Sequence, residues 1–189
     1  MTKHNRFGLM LLFIVSILFL ITHVKEGYIV EVPTLEKSYN ITLRFDYTNY
    51  DIALEQIKKY EGLRLESYKL PGDDHYYIGY GHQYPTDPSN IDLEEAERLL
   101  RADFDQRLLY VSRTYFVTGN KALALAMIYY NVRPSSIRSS YMHEAIMTQK
   151  HLLTNTWDTI GISQSWLSFD MNHKKMHERR EFELKLFFN

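Results

Sequence analysis
Glu61 offers the clearest chemistry in this sequence. Ile52, Leu54, Ile57 and Tyr60 recur at helical spacing ahead of it, Asp51 is placed to cap the start, and Gly62 follows at once. That pattern puts a carboxyl at the end of a short helix, beside a residue that leaves the surface open. The carbonyl end of a helix disfavours negative charge, and partial burial would disfavour it further. Both suit a carboxyl that must hand over a proton. Cleaving a glycosidic bond needs such an acid at the leaving oxygen, and usually a second carboxylate or a positioned water. Asp73 and Asp74 are the nearby candidates for the second role, although turn aspartates more often bond their own backbone.

The elements that must position these groups follow from the pattern. A Tyr-rich stretch from Leu65 to His82, with Pro71-Gly72-Asp73-Asp74 as its turn, reads as a small β-hairpin. Asp92 begins a helix through about Tyr110, with Leu93, Ala96, Leu99, Leu100, Phe104 and Leu108 on its apolar face. A strongly apolar helix runs from Asn120 to Asn131 and stops at Pro134-Ser135-Ser136. Further helices are expected near Tyr141 to Met147 and from Lys174 to Phe187, with a Trp-containing stretch between them. The order predicts an α+β domain, mostly helical, over residues 51–189. It is preceded by a connector at 25–50 and an apolar segment within 1–24.

Composition narrows the classes. The 189 residues carry 22 Lys and Arg against 23 Asp and Glu, and a formal net charge of -1 argues against a nucleic-acid partner. With no cysteine there is no disulfide, no thiol nucleophile and no thiolate metal site, and neither metal nor cofactor is expected. The 15 tyrosines suit either a sugar-binding groove or half-buried surface. From Phe7 to Val24 the chain is almost wholly apolar, and as a helix its 18 residues span about 27 Å, enough to cross a bilayer. The run ends Ile21-Thr22-His23-Val24-Lys25, without the small residues of a cleavage site, so an uncleaved transmembrane anchor is expected. Lys3 and Arg6 ahead of it predict a cytoplasmic N-terminus. The domain would then lie on the periplasmic or extracytoplasmic side of an inner membrane crossed once.

Two stretches carry a resemblance. Tyr60-Glu61-Gly62-Leu63-Arg64-Leu65-Glu66-Ser67-Tyr68 and Tyr77-Ile78-Gly79-Tyr80-Gly81-His82 resemble the phage-type lysozymes, the muramidases of glycoside hydrolase family 24 that include endolysins. Glu95-Ala96-Glu97 with Leu99, Leu100 and Asp103 is similar to the helix after the hairpin in that family. Ala124 to Val132 looks like its central buried helix, and Arg179-Arg180 with Glu183, Leu186 and Phe187 like its C-terminal signature. The Tyr-Ile-Gly-Tyr-Gly-His form is also similar to lysozyme-like proteins of conjugative elements.

The resemblance implies a lysozyme-like fold, peptidoglycan as the partner, and Glu61 as general acid. It also implies that His82 pairs with Asp103 to tie hairpin to helix, and that Asn131 contacts substrate. One of Arg179 and Arg180, about 100° apart on a helix, is expected to lie near Glu61. The chain departs from the family where an Asp stands nine residues after the Glu and a Thr precedes the Ile-Gly strand. Leu70 and Tyr77 occupy those places, leaving Asp73, Asp74 and Tyr77 as replacements. The expected function is cleavage of the N-acetylmuramic acid–N-acetylglucosamine bond. The alternatives are a lytic transglycosylase and a membrane-tethered module that binds cell wall without cutting it.

Overall fold
The computed structural model describes residues 27–29, 44–152, 157–170 and 173–189. The apolar run at 7–24 lies outside them. Among the described residues no helix is long and apolar enough to cross a membrane. A two-stranded antiparallel pair, β1 (Gly27–Ile29) and β2 (Arg44–Asp46), leads directly into α1 (Tyr47–Glu61). The helix therefore starts before Asp51, which lies within it and accepts from Arg101. The reason is burial. Tyr50, Ala53, Leu54, Ile57 and Tyr60 form the core stripe, so the pattern begins ahead of Asp51, while Ile52 is exposed.

Where a hairpin was expected, three antiparallel strands form: β3 (Arg64–Lys69), β4 (Tyr76–Gly79) and β5 (His82–Tyr84). The third strand exists because Gly79 at φ +63 and Gly81 at φ +93 reverse the chain within a few residues. The Gly81 amide donates to the Ile78 carbonyl, and Ile78 then pairs with His82. A Cβ at Gly79 would sit in ordinary contact with Ala96 at 3.4 Å, so it is the positive φ that favours glycine there. The free side of β3 is covered by the chain near Asn90, through Ser67 N–H to Ser89 O and Ile91 N–H to Leu65 O.

Helix α2 (Leu93–Tyr115) is capped by Asp92, which accepts from the Glu95 amide, and continues past Tyr110. Val111 and Tyr115 prolong its buried stripe, and Phe116 at φ 56 ends it in a left-handed cap. Helix α3 (Gly119–Asn131) is the hub, with every residue from Ala122 to Tyr129 buried. Burying each of its Leu, Met and Ile side chains contributes roughly 1.5–3 kcal/mol. Pro134 does not merely stop α3; it occupies the first turn of a short helix, α4 (Pro134–Arg138), where its missing N–H costs nothing. Then follow α5 (Tyr141–Leu152), α6 (Thr159–Leu167) around Trp166, and α7 (Lys174–Phe188). Helix α7 packs on α3 and reaches the end of α1. The last turn of α1 therefore meets α7, and Gly62 leads from it directly into β3.

Candidate functional site
Glu61 is the last residue of α1, and Gly62 beside it has φ +74 with nothing within 4 Å of where a Cβ would be. This bend turns the chain into β3 and leaves one side of the carboxyl open; the side chain is 23% exposed. Its bonding partner among the described residues is Arg179, whose Nη1 donates to Oε1 at 2.5 Å. Lys175, one helical turn earlier on α7, donates to the Tyr60 carbonyl at 3.0 Å, capping the end of the same helix. Helix α7 thus grips both the side chain of Glu61 and the peptide that precedes it.

Arg179 and Arg180 are both fully buried, which the 100° between them did not suggest. The resolution is Glu183, also fully buried, which lies four residues after one and three after the other. It accepts from Arg179 Nε at 3.0 Å, from Arg180 Nη1 at 2.6 and 2.5 Å, and from Trp166 Nε1 at 2.9 Å. Arg179 Nη2 also satisfies the Met127 carbonyl of α3. Burial is the largest influence on both guanidinium groups and opposes their charge. For Arg179 the carboxylates of Glu183 and Glu61 outweigh it, so its pKa is raised. For Arg180 burial prevails and the pKa is lowered. The i, i+3 and i, i+4 spacing of Glu183 was the signal for this ion cluster, and it was visible only as part of a motif.

The far end of the cluster reaches Asn131, exposed at the C-terminus of α3. Its Oδ1 accepts from Arg180 Nη2 at 2.6 Å, which leaves the amide N–H groups to point outward as donors. Across the sheet, His82 Nδ1 lies 2.9 Å from Asp103 Oδ2, joining β5 to α2. Tyr130, part of the central-helix motif but given no role by it, donates to the Tyr80 carbonyl at 2.9 Å and ties α3 to the sheet corner. Burial pushes its phenol well above the ordinary range.

The two turn aspartates differ. Asp74 is exposed. Asp73 Oδ2 accepts a short hydrogen bond from the Tyr77 hydroxyl, and Oδ1 accepts from the His75 amide at 3.0 Å and faces its Nδ1 at 3.2 Å. These contacts, Tyr77 first, hold the Asp73 carboxyl at about 2, well below the usual range, and raise the Tyr77 phenol in return. Gln83 Nε2 also donates to the Tyr77 hydroxyl at 3.3 Å. Tyr77 stands opposite Tyr68 with ring centroids 5.6 Å apart, and the Arg64 guanidinium covers the Tyr68 ring at 4.3 Å. A shallow groove of about 430 Å³ runs along this strand, lined by Arg64, Leu65, Glu66, Ser67 and Tyr68. The strand register separates the two sets: Gly79 pairs with Arg64 near Glu61, whereas Tyr77 pairs with Tyr68 toward the turn. Among the described residues no three His, Asp or Glu side chains converge as a metal site.

Comparison with known proteins adds the wider frame. The family described as phage lysozyme matches residues 58–181. The endolysin of Bacillus phage PZA is 40% identical over 98 residues, covering 49% of this chain and 38% of that protein. The chain therefore spans well under half the length of that relative. An endolysin of Acyrthosiphon pisum secondary endosymbiont phage 1 is 28% identical over 146 residues, covering 71% of this chain and 94% of its own length. Among solved structures, the muramidase domain of SpmX from Asticaccaulis excentricus superposes with a TM-score of 0.59 at 22% identity, covering 73% of this chain and 95% of that one. That likeness speaks to the fold.

Proposed function
The chain belongs to the phage lysozyme family, and from that premise we propose that it is a peptidoglycan hydrolase in which Glu61 is the general acid. The bond cut is the one between N-acetylmuramic acid and N-acetylglucosamine. The observation that carries the reading is the pairing of a half-open Glu61 carboxyl with a fully buried arginine. One oxygen is held by Arg179, and the other is available to the leaving oxygen of a sugar in the cleft. Asn131 offers outward donors that suit the carbonyl of an N-acetyl group, with Arg180 fixing its orientation. The Tyr68 and Tyr77 rings offer apolar faces on which a saccharide can stack.

For the second role Asp73 is better supported than Asp74, because its carboxylate is bonded to Tyr77 while Asp74 faces solvent. In this reading Asp73 orients the Tyr77 hydroxyl, whose remaining lone pair receives a water or a sugar hydroxyl. His82 and Asp103 hold the sheet against α2 and support the cleft. Residues 7–24 are proposed as a single inner-membrane anchor, with Lys3 and Arg6 on the cytoplasmic side and the domain at the wall.

Replacing Glu61 by Gln keeps the shape and removes the proton. Release of muropeptides from purified sacculi should fall about 10²–10⁴-fold. Undiminished release would remove Glu61 from the mechanism. One observation favours a second reading: both Asp73 oxygens are already engaged, so Asp73 is not free to act as a second carboxylate. A lytic transglycosylase fits that condition, and its products end in an anhydro sugar instead of a reducing end. Binding to sacculi with neither product would indicate a tethered binding module.

A further inference from the structure
The geometry points to Glu183 as a positioning residue that sets both ends of the cleft at once, holding the proton donor Glu61 through Arg179 and the substrate amide Asn131 through Arg180. The inference rests on the role proposed above for Glu61. The chain of contacts is continuous: Glu61 to Arg179, Arg179 to Glu183, Glu183 to Arg180, and Arg180 to Asn131, with steps of 2.5, 3.0, 2.5 and 2.6 Å. Its three inner members are fully buried and its two ends are not.

Burial decides what the middle carboxylate does. Two guanidinium groups side by side in a dry interior repel each other, and neither can turn to solvent. Glu183 neutralises one charge. With Glu61 ionised the cluster sums to zero; with Glu61 protonated it carries one positive charge. The charge of Glu183 therefore tunes how readily Glu61 gives up its proton. Trp166 donates at 2.9 Å to Glu183 Oε2, the oxygen that Arg180 also holds, which pins the carboxylate against rotation. Glu61 also interacts electrostatically with Arg180 on α7 and Tyr130 on α3, while Lys175 holds the neighbouring Tyr60 carbonyl. Glu183 stands out among them as the buried negative charge bonded to both arginines.

A residue that only stabilised the fold would lower the melting temperature and leave the pH profile in place. A general acid loses activity as pH rises through its own titration, so the alkaline limb reports on Glu61. In Glu183→Gln the cluster keeps both positive charges and loses one negative charge. Ionised Glu61 is then favoured, and the alkaline limb of the clearing rate on purified sacculi should move down by about one pH unit. Asn131→Asp changes only the exposed end and adds a negative charge against Arg180. It should move the same limb upward by a smaller amount. The full-length chain is used, with its folded state checked by melting under assay conditions. Opposite shifts support the inference. A Glu183→Gln protein that melts above assay temperature with an unmoved limb would overturn it. If that variant does not fold, an unmoved limb in Asn131→Asp overturns it instead. Failure of Glu61→Gln to reduce activity is a separate result, which removes the acid and not the bracing.

Discussion

Arg179→Met is the sharpest test of the buried cluster. Methionine keeps much of the apolar stem and removes the guanidinium that contacts Glu61, Glu183 and the Met127 carbonyl. Breaking a buried ion pair by deleting one partner costs about 3–5 kcal/mol, because the other charge is stranded. Two features place this case at the lower end. Glu183 keeps both contacts from Arg180, and Glu61 is exposed enough to rehydrate. The Met127 carbonyl loses a bond inside the core, worth about 1 kcal/mol. A loss of about 3–4 kcal/mol follows, or about 8–12 °C in melting temperature for a domain of this size. The companion variant Lys58→Met removes a partly exposed pair with Glu97 and Glu55 and should cost less than about 1 kcal/mol. The assay is thermal unfolding at neutral pH, at low and at high salt. The Arg179 penalty should hardly change with salt, while the Lys58 penalty should fade. A fall of under 3 °C for Arg179→Met, or equal falls for both variants, would refute the reasoning that burial makes this pair costly to break.

Two further expectations concern protons. Tyr77→Phe removes the contact with the largest influence on Asp73, so in a carboxyl titration followed by NMR its midpoint should rise from about 2 toward the ordinary 3.8; an unmoved midpoint would mean that Tyr77 does not hold it. His143 Nδ1 lies 2.8 Å from the Tyr115 hydroxyl, and burial first, then Arg138, lowers its pKa below 6.5. The unfolded chain therefore binds the extra proton first, so this contribution is complete above about pH 6.5 and is lost as pH falls through the folded value. The loss should appear as a declining melting temperature on acidification that His143→Gln reduces.

The helices were legible where a buried stripe and a stop signal coincided. Asp92, Gly62 and the apolar run of α3 each mark an element that the structure contains. The reading slipped where long-range contact overrode a local signal. Asp51 looked like a cap, but Tyr50 belongs to the core and carries the helix back past it. Pro134 did mark the end of α3, which closes at Asn131, and it also opens the short α4. The hairpin became three strands because Gly79 and Gly81, both with positive φ on either side of Tyr80, let the chain double back, and no alternation of apolar residues announces so short a strand.

The site divides along the same line. Local order was enough to place Glu61 at a helix end beside an open glycine, and to put Arg179, Arg180 and Glu183 within reach of one another, because helical periodicity is a property of the chain alone. Which of them are buried was decided by packing. Arg179 meets Glu61 across 118 positions, Arg180 meets Asn131 across 49, and neither distance has any local rule. Asp73, in the turn that joins β3 to β4, meets Tyr77 only four positions on. Residue types and spacings supplied the acid. Tertiary structure supplied its electrostatic setting, because a charge is tuned by what lies near it in space.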